Sequence, residues 1–516
     1  MAHFDDIVIG AGHNGLVAAA YLAQSGRSVL VLEAADHVGG AAISAEVFPG
    51  VAARLSKYSY LVSLLPEKVR TDLGMTLETV TRSVSSFTPD PAQPERSIAI
   101  PHDDPEVLKK RIIEFTGSEG DAQAWLDFYE RTVRVARKVF PTLTQPLRSR
   151  EELRQIVDND EDWNDFFVRP LGEVIERSIS NDTLRGIILT DALIGTFADA
   201  HDASLRQNIC FLYHVIGNCT GTWDVPIGGM GQVTGQLERI AAKLGAQILT
   251  GTKALEVIST DSGVTVRTQD QTWTATNVLV NATPIVLAGL MGQEPPAIDR
   301  ASGGAQIKVN MLLRRLPKLL SGESFEAFNG TFHINEGYEQ LAHAFAQANR
   351  GELPNPLPAE IYCHSLTDPS ILSQELQAAG VQTMTLFALH TPHELFAREN
   401  QPIDKQQARD AVLATLNSVL AEPIEECLYV GPAGNPCIEV NTTVDIENSL
   451  GIATGNIFHT PLDWPWAQTP EEIGTWGVET SNPHIFLCGS SAARGGGVSG
   501  IPGHNAAMAI LKRGES

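Results

Sequence analysis

The stretch Asp6-Ile7-Val8-Ile9-Gly10-Ala11-Gly12-His13-Asn14-Gly15 decides the fold of this chain. Residues 6–9 read as a buried parallel strand, with Ile7, Val8 and Ile9 a short β-branched run. The glycines that follow form a G-x-G-x-x-G turn. Leu16 to Ser25 carries Ala and Leu at amphipathic spacing, and Gly26 suits the cap that ends a helix. Ser28 to Leu32 reads as a second strand with Glu33 at its end. Strand, glycine turn, helix, strand and acid in about 30 residues make a dinucleotide-binding βαβ unit. Gly10 permits the tight turn, Gly12 admits a pyrophosphate to the helix N-terminus, and Gly15 lets helix and strand pack closely. Glu33 lies 18 residues beyond Gly15, close to the ~20 at which an acid meets the ribose hydroxyls. A carboxylate there repels a 2′-phosphate, which disfavours an NADP-type ligand.

Working outward, Asp36-His37-Val38-Gly39-Gly40-Ala41 follows the acid closely. A second glycine pair sets bare backbone against the nucleotide again, which suits FAD better than NAD. At the other end, His484 to Cys488 reads as a buried strand that runs into a segment from Gly489 to Asn505. That segment holds six glycines in its first 15 residues. Ala506 to Leu511 then reads as a closing helix, whose N-terminus would favour negative charge developing on the flavin pyrimidine edge. A third glycine cluster, Gly228-Gly229-Met230-Gly231-Gln232-Val233-Thr234-Gly235, is a decoy. Trp223-Asp224-Val225-Pro226 before it does not read as a buried strand, and no acid follows Gln247 to Thr250. It reads instead as a turn and helix that lead into Gln247–Thr250, Val257–Ile258, Val264–Thr268 and Val278–Asn281, a small sheet returning to the nucleotide domain.

The bulk composition narrows the function. The chain has 516 residues, 43% hydrophobic and 19% charged, with a net charge of −24. That length suits two domains or intertwined lobes. The acidic balance, with no basic stretch, excludes a nucleic-acid groove and leaves at most peripheral membrane contact. The six cysteines show neither redox-pair nor zinc-finger spacing, and no metal-ligand or catalytic-triad constellation stands out. No 18-residue apolar run is present. Residues 1–6 leave no room for a leader before the first motif, so a cytoplasmic protein is expected.

With these motifs in place, the chain resembles the phytoene-desaturase-related flavoproteins of the amine-oxidase and GDP-dissociation-inhibitor structural class. Within them it is most similar to the group of pyridine nucleotide-disulfide oxidoreductase domain-containing protein 2, and more distantly to bacterial oxygenase-type carotene ketolases. The resemblance runs through Gly12-His13-Asn14-Gly15, Ser56-Lys57-Tyr58-Ser59-Tyr60-Leu61, Asp191-Ala192-Leu193-Ile194-Gly195-Thr196, Asn281-Ala282-Thr283-Pro284, His364-Ser365-Leu366, Gly455-Asn456-Ile457-Phe458-His459 and the C-terminal glycines.

The resemblance implies an α/β fold: a Rossmann-type FAD domain from 1–65, 225–300 and 445–516, with an inserted mixed α+β substrate lobe from 66–224 and 301–444. It assigns FAD contacts to Gly10, Gly12, His13, Asn14, Gly15, Glu33, Gly39, Gly40 and Ala41. Further contacts fall at Gly489, Ser490, Gly496, Gly497, Val498, Gly500, Ile501, Gly503 and His504, and the backbone of Ala254 would meet adenine. Two departures fall where flavin and substrate should meet: Ala493-Arg494 replaces a His-Pro pair, and Thr460-Pro461-Leu462-Asp463-Trp464-Pro465-Trp466 replaces Leu-Asp-Gln after His459.

In flavin oxidation the cofactor does the hard chemistry, and the protein holds a C–H bond over flavin N5. The candidates near the flavin are His214, His459, Arg494 and His504. Arg494 serves either to stabilise an anionic flavin or substrate carboxylate, or as a surface or pyrophosphate contact. His214 and His459 are either hydrogen-bonded core histidines or proton shuttles. His504 would line the flavin edge. Trp464, Trp466 and Trp476 are either the wall of an apolar pocket or core. The expected function is FAD-dependent dehydrogenation or desaturation of an apolar, carotenoid- or lipid-like small molecule by hydride transfer to flavin N5. A redox-neutral isomerase or reductase, or a non-catalytic binding protein, stays open, as does an oligomeric state.

Overall fold

The structure is a computed structural model that describes residues 2–298, 303–322 and 326–514. The domain boundary expected at residues 300/301 lies outside them. The opening motif folds as β1 (Ala2–Ile9), α1 (His13–Gln24) and β2 (Val29–Leu32). The two strands pair in parallel with Ile7 opposite Leu30. Ile7 and Leu30 are fully buried, as the centre of a sheet covered on both faces requires. The helix starts three residues earlier than the Ala and Leu pattern shows, because Gly12 serves as an extended N-cap without a side-chain hydrogen bond.

The first sheet is larger than the sequence suggests. β3 (Val84–Asp90) and β4 (Gln93–Pro101) belong to the second sheet, described below. After them come three helices of the cap, α2 (Glu119–Val139), α3 (Asp182–Thr190) and α4 (Arg206–Val215). The decoy glycines lead into α5 (Gly231–Lys243) and then β5 (Gln247–Leu249), which pairs in parallel with β2. β6 (Glu256–Thr260), β7 (Gly263–Arg267) and β8 (Thr272–Val280) follow. They do not make a separate small sheet. β8 is nine residues long, so its first half pairs antiparallel with β7 while its whole length runs parallel to β1. One seven-stranded sheet results, in the order β6-β7-β8-β1-β2-β5, and the C-terminal strand Ile485–Leu487 also pairs with β8. Val225–Pro226 before the decoy do form a two-residue buried strand, antiparallel to Thr79–Val80. That is too short to feed a parallel sheet.

The second sheet is built from β3, β4, β9 (Ile307–Leu313), β10 (Thr331–Ile334), β11 (Ala359–Tyr362), β12 (Gln382–Ala388) and β13 (Ile438–Asn441). Their order is β13-β9-β12-β11-β10-β3-β4, antiparallel except where β10 meets β3. One face packs through Met311 and Leu386 on Val412 and Leu416 of the helix Lys405–Asn417. The other face brings Phe387 against the helical core of Phe128 and Ile187. α2 carries that core on one stripe, Trp125, Phe128, Val135 and Val139. Burying a side chain of this kind contributes about 1.5–3 kcal/mol. A cavity therefore runs between the first sheet's carboxyl ends and the helix-covered face of the second.

The closing helix α6 (Ile501–Leu511) begins five residues before the Ala-rich run. Pro502 is tolerated in a first helical turn, and the glycine segment is thus partly helical. All six cysteines are free. Among the described residues no helix is long and apolar enough to cross a membrane.

Candidate active site

At the carboxyl ends of β1 and β2 the glycine turn closes against Asn281 at the end of β8. The Asn281 side chain donates from Nδ2 to the Gly10 carbonyl at 3.1 Å. Gly10 has φ +98°, and a Cβ there would lie 2.8 Å from the Asn281 carbonyl oxygen. Only glycine fits. The second glycine pair is stitched to the first: Gly39 N donates to Ala11 O at 2.9 Å, and Gly12 and Gly39 form a parallel bridge. Glu33 accepts from Ala11 N at 2.7 Å and Ala35 N at 2.9 Å. Each carboxylate oxygen keeps a lone pair for a hydroxyl. The chain around Ala254 is held alongside, with Thr252 N on Glu33 O at 2.7 Å. α1 starts here without a side-chain cap, so its first-turn amides face the opening as anion donors.

Gly10, Gly12, His13, Glu33, Gly40, Ala41, Ala254, Ser490, Gly497 and Val498 all line one cavity of about 1800 Å³. His13 and His459 both border it, and neither His13 Nε2 nor His459 Nδ1 has a partner. Burial and the neighbouring His459 push His13 down to about 4, and burial does the same to His459. Two neutral imidazoles with orphaned nitrogens beside a backbone cradle are what a dinucleotide with a heterocyclic ring would satisfy. The residues present therefore fit FAD. Gly497 closes the strip: its φ is +42°, and a side chain there would collide with the Tyr213 hydroxyl.

Several expected contacts are placed elsewhere. Asn14, Gly15, Gly39, Gly489 and Gly496 buttress the cradle without lining the cavity. Gly500, Ile501, Gly503 and His504 do not line it either. Gly500 caps α6 against Val17, and Gly503 lets α6 cross α1 at the Asn14 carbonyl. His504 is wedged between Tyr21 and Trp476, with Nδ1 at 2.8 Å from Asn505 Oδ1. Arg494 does not line the large cavity either. Its guanidinium donates to the carbonyls of Thr142, Gln145 and Trp476. It braces the chain behind Gly496 and borders a separate, smaller cavity with Thr460 to Pro465. Both departures from the family pattern thus lie outside the large cavity. Trp464 and Trp466 stack on each other at 4.7 Å in the helical core, and Trp476 packs on His504. His214 does border the cavity, with Nδ1 at 2.9 Å from Cys210 O. It is a hydrogen-bonded core histidine at the cavity wall, which burial pushes down to about 4.

Beyond Tyr213 and His214 the cavity passes an apolar wall of Trp125, Leu126, Tyr129, Val133, Ile187 and Ile194. It also borders the second sheet at a polar patch that the sequence reading did not single out. Lys308 on β9 is 2% exposed and bonds Asn310 Oδ1 at 3.0 Å and Thr385 Oγ1 at 3.5 Å. Burial pushes it down to about 7. Arg82 lies over the Tyr362 ring and donates to Thr331 Oγ1 at 3.1 Å. Glu336 and Glu360 meet at the Thr190 hydroxyl. Burial and the neighbouring Glu360 push the Glu336 carboxyl up, and burial pushes Glu360 up to about 7. Burial and Glu360 raise Asp191 to about 8. A legible signal existed: Lys308 and Glu360 are single charges inside strands that are otherwise apolar or small.

The comparisons with known proteins agree with this geometry. Residues 86–343 match the model of the flavin containing amine oxidoreductases, and residues 8–66 that of an NAD(P)-binding Rossmann-like domain. An uncharacterized protein of Mycobacterium tuberculosis is 48% identical across 98% of this chain and 97% of its own. The pyridine nucleotide-disulfide oxidoreductase domain-containing protein 2 of Rattus norvegicus is 27% identical across 99% and 93%. A 4,4′-diaponeurosporene oxygenase of Staphylococcus aureus is 26% identical across 48% of this chain and 49% of its own. Among solved structures, cyclohexylamine oxidase from Brevibacterium oxydans superposes with a TM-score of 0.57 at 16% identity, over 99% of this chain and 100% of that one. This chain belongs to the flavin-containing amine oxidoreductase family, and it is an FAD-dependent oxidoreductase.

Proposed function

We propose that this oxidoreductase dehydrogenates or desaturates an apolar substrate of polyene or lipid-like build. The observation that carries the reading is the cavity's continuity. From the cradle at Gly12, His13 and Gly497 it runs on, without a partition, along the apolar wall from Trp125 to Ile194. A pocket lined this way orders a long apolar body by burial, at about 25 cal/mol per Å² removed from water. The relative named for the polyene 4,4′-diaponeurosporene supports the same class.

FAD, when bound, supplies the acceptor for a hydride from a substrate C–H bond. The chain's own residues do the rest. The first-turn amides of α1 would hold the pyrophosphate, Glu33 would orient the ribose, and the backbone at Ala254 would meet the adenine. Tyr213, held against Gly497, and Phe458, edge-on to it at 5.1 Å, narrow the cavity beside the cradle. They place the substrate and exclude water. His13 and His459 stay neutral at working pH, so each is able to take or give a hydrogen bond at its orphaned nitrogen.

Anaerobic addition of candidate substrates to the purified flavoprotein tests the reading. Bleaching of the flavin absorbance by polyenes or long-chain lipids is the expected result. No bleaching across such a panel, with bleaching by short polar molecules, contradicts it. Turnover with no electron acceptor present would instead identify a redox-neutral isomerase.

A further inference from the structure

The polar patch on the second sheet contains a set of donors arranged for a cation. His333 and Glu360 are directly opposed across the β10–β11 ladder, so their side chains leave the same face of the sheet. Glu336 follows β10 and turns back toward them. One ligand atom from each of these three lies within 4.8 Å of the others. His333 Nδ1 is 3.8 Å from Glu336 Oε2. The Thr190 hydroxyl is 2.9 Å from Glu336 Oε2 and 3.4 Å from Glu360 Oε1. Those separations are close to the spacing of donors that share one small ion, whose bonds to nitrogen and oxygen are about 2.0–2.2 Å.

Charge points the same way. Glu336 has no exposed surface, and its Oε1 has no hydrogen-bond partner. Neither Glu336 nor Glu360 forms an ion pair with a described Lys or Arg. The Arg82 guanidinium acts on Glu360 through space but is held over Tyr362 and on Thr331. Asp191 adds a third carboxyl facing the same space. Thr190 is the last residue of α3, so the negative end of that helix adds to the field. Buried carboxylates this close need a bound cation or a shared proton. Tyr362 donates to Glu360 Oε2 at 2.5 Å, the kind of outer contact that fixes a ligand's orientation.

We infer that His333, Glu336 and Glu360, with Thr190 beside them, form a binding site for one divalent transition-metal ion. A mixed imidazole and carboxylate set suits zinc, manganese or iron(II) rather than calcium or magnesium. Thr190, His333 and Glu360 line the cavity, so a coordination position stays open toward it. Three protein ligands with an open position is the arrangement that accepts a further oxygen donor from solvent or substrate. The inference stands on this geometry and not on the identity of the substrate.

The test is elemental analysis of the flavin-loaded protein after incubation with zinc, manganese or iron(II) and gel filtration, beside thermal melts. About one ion per chain is expected for one of the three metals, with a rise in Tm reversed by a chelator. His333→Ala and Glu336→Gln should lose the ion while keeping bound flavin, which reports that they fold. Tyr362→Phe should keep the fold and weaken metal affinity about 10–100-fold. Metal content far below one per chain for all three ions, with no shift in Tm, overturns the inference and leaves the two glutamates sharing a proton. Undiminished metal in both ligand variants overturns it as well.

Discussion

The nucleotide cradle and the cap patch, which line one cavity, are built on opposite principles. The cradle works through backbone. Gly10, Gly12, Gly40 and Gly497 offer bare space, the first turn of α1 offers amides, and Gly39, Asn281 and Glu33 lock their geometry. The patch works through side chains on buried strands and one helix end: Asp191, Lys308, His333, Glu336 and Glu360. A backbone site tolerates no added Cβ yet needs little charge. A side-chain site tolerates changes of size but not the loss of a compensating charge. The two regions should therefore fail differently when altered.

The largest effect belongs to the cradle. Gly15→Val drives a side chain into the Gly10 carbonyl. The expected product is a chain that retains no flavin, read by the absorbance of purified protein. A variant with normal flavin content would break the contrast. Acid comes next and acts across the whole molecule. His214 and His504 are held down to about 4, and His364 and His390 to about 3, by burial. Unfolded histidine binds its proton near 6.5. Below that pH the unfolded chain binds more protons, so stability falls as pH drops from 6.5 toward 4. Each group contributes up to about 1.4 kcal/mol per pH unit. Urea melts across that range would show it, and flat stability would contradict it.

Smaller effects sharpen the boundary between the regions. Arg494→Met should lower stability by about 2–4 kcal/mol, since three carbonyls lose a charged donor, while the flavin spectrum stays unchanged. A shifted spectrum with unchanged stability would put Arg494 back at the flavin. Glu33→Gln should weaken FAD binding by about 1.5–3 kcal/mol, read by titrating the flavin-free protein, with the cap unaffected.

The contrast also explains what was legible in the sequence. The cradle is written in contiguous residues: Gly10 to Gly15, Glu33 and Gly39-Gly40 sit within about 30 positions, and their spacing carries the chemistry. The C-terminal glycines were legible as a segment, but not their division of labour. Nothing local marks Gly503 as a helix-crossing position or Arg494 as a brace on three carbonyls, because their partners lie on α1 and at Thr142, Gln145 and Trp476. The single first sheet was missed because β8 changes partners along its length. The patch was illegible as a site for the same reason. Thr190, His333 and Glu360 come from three separate elements, and only the β10–β11 register and the end of α3 bring them together. What the sequence did show, a lysine and a glutamate inside buried strands, signals a polar cluster without naming its members.

The most direct test of the cradle is to denature the purified protein and identify the nucleotide it releases. FAD at about one per chain is expected from a cradle of this build. Release of NAD or NADP, or a chain that neither holds nor takes up FAD, would contradict it.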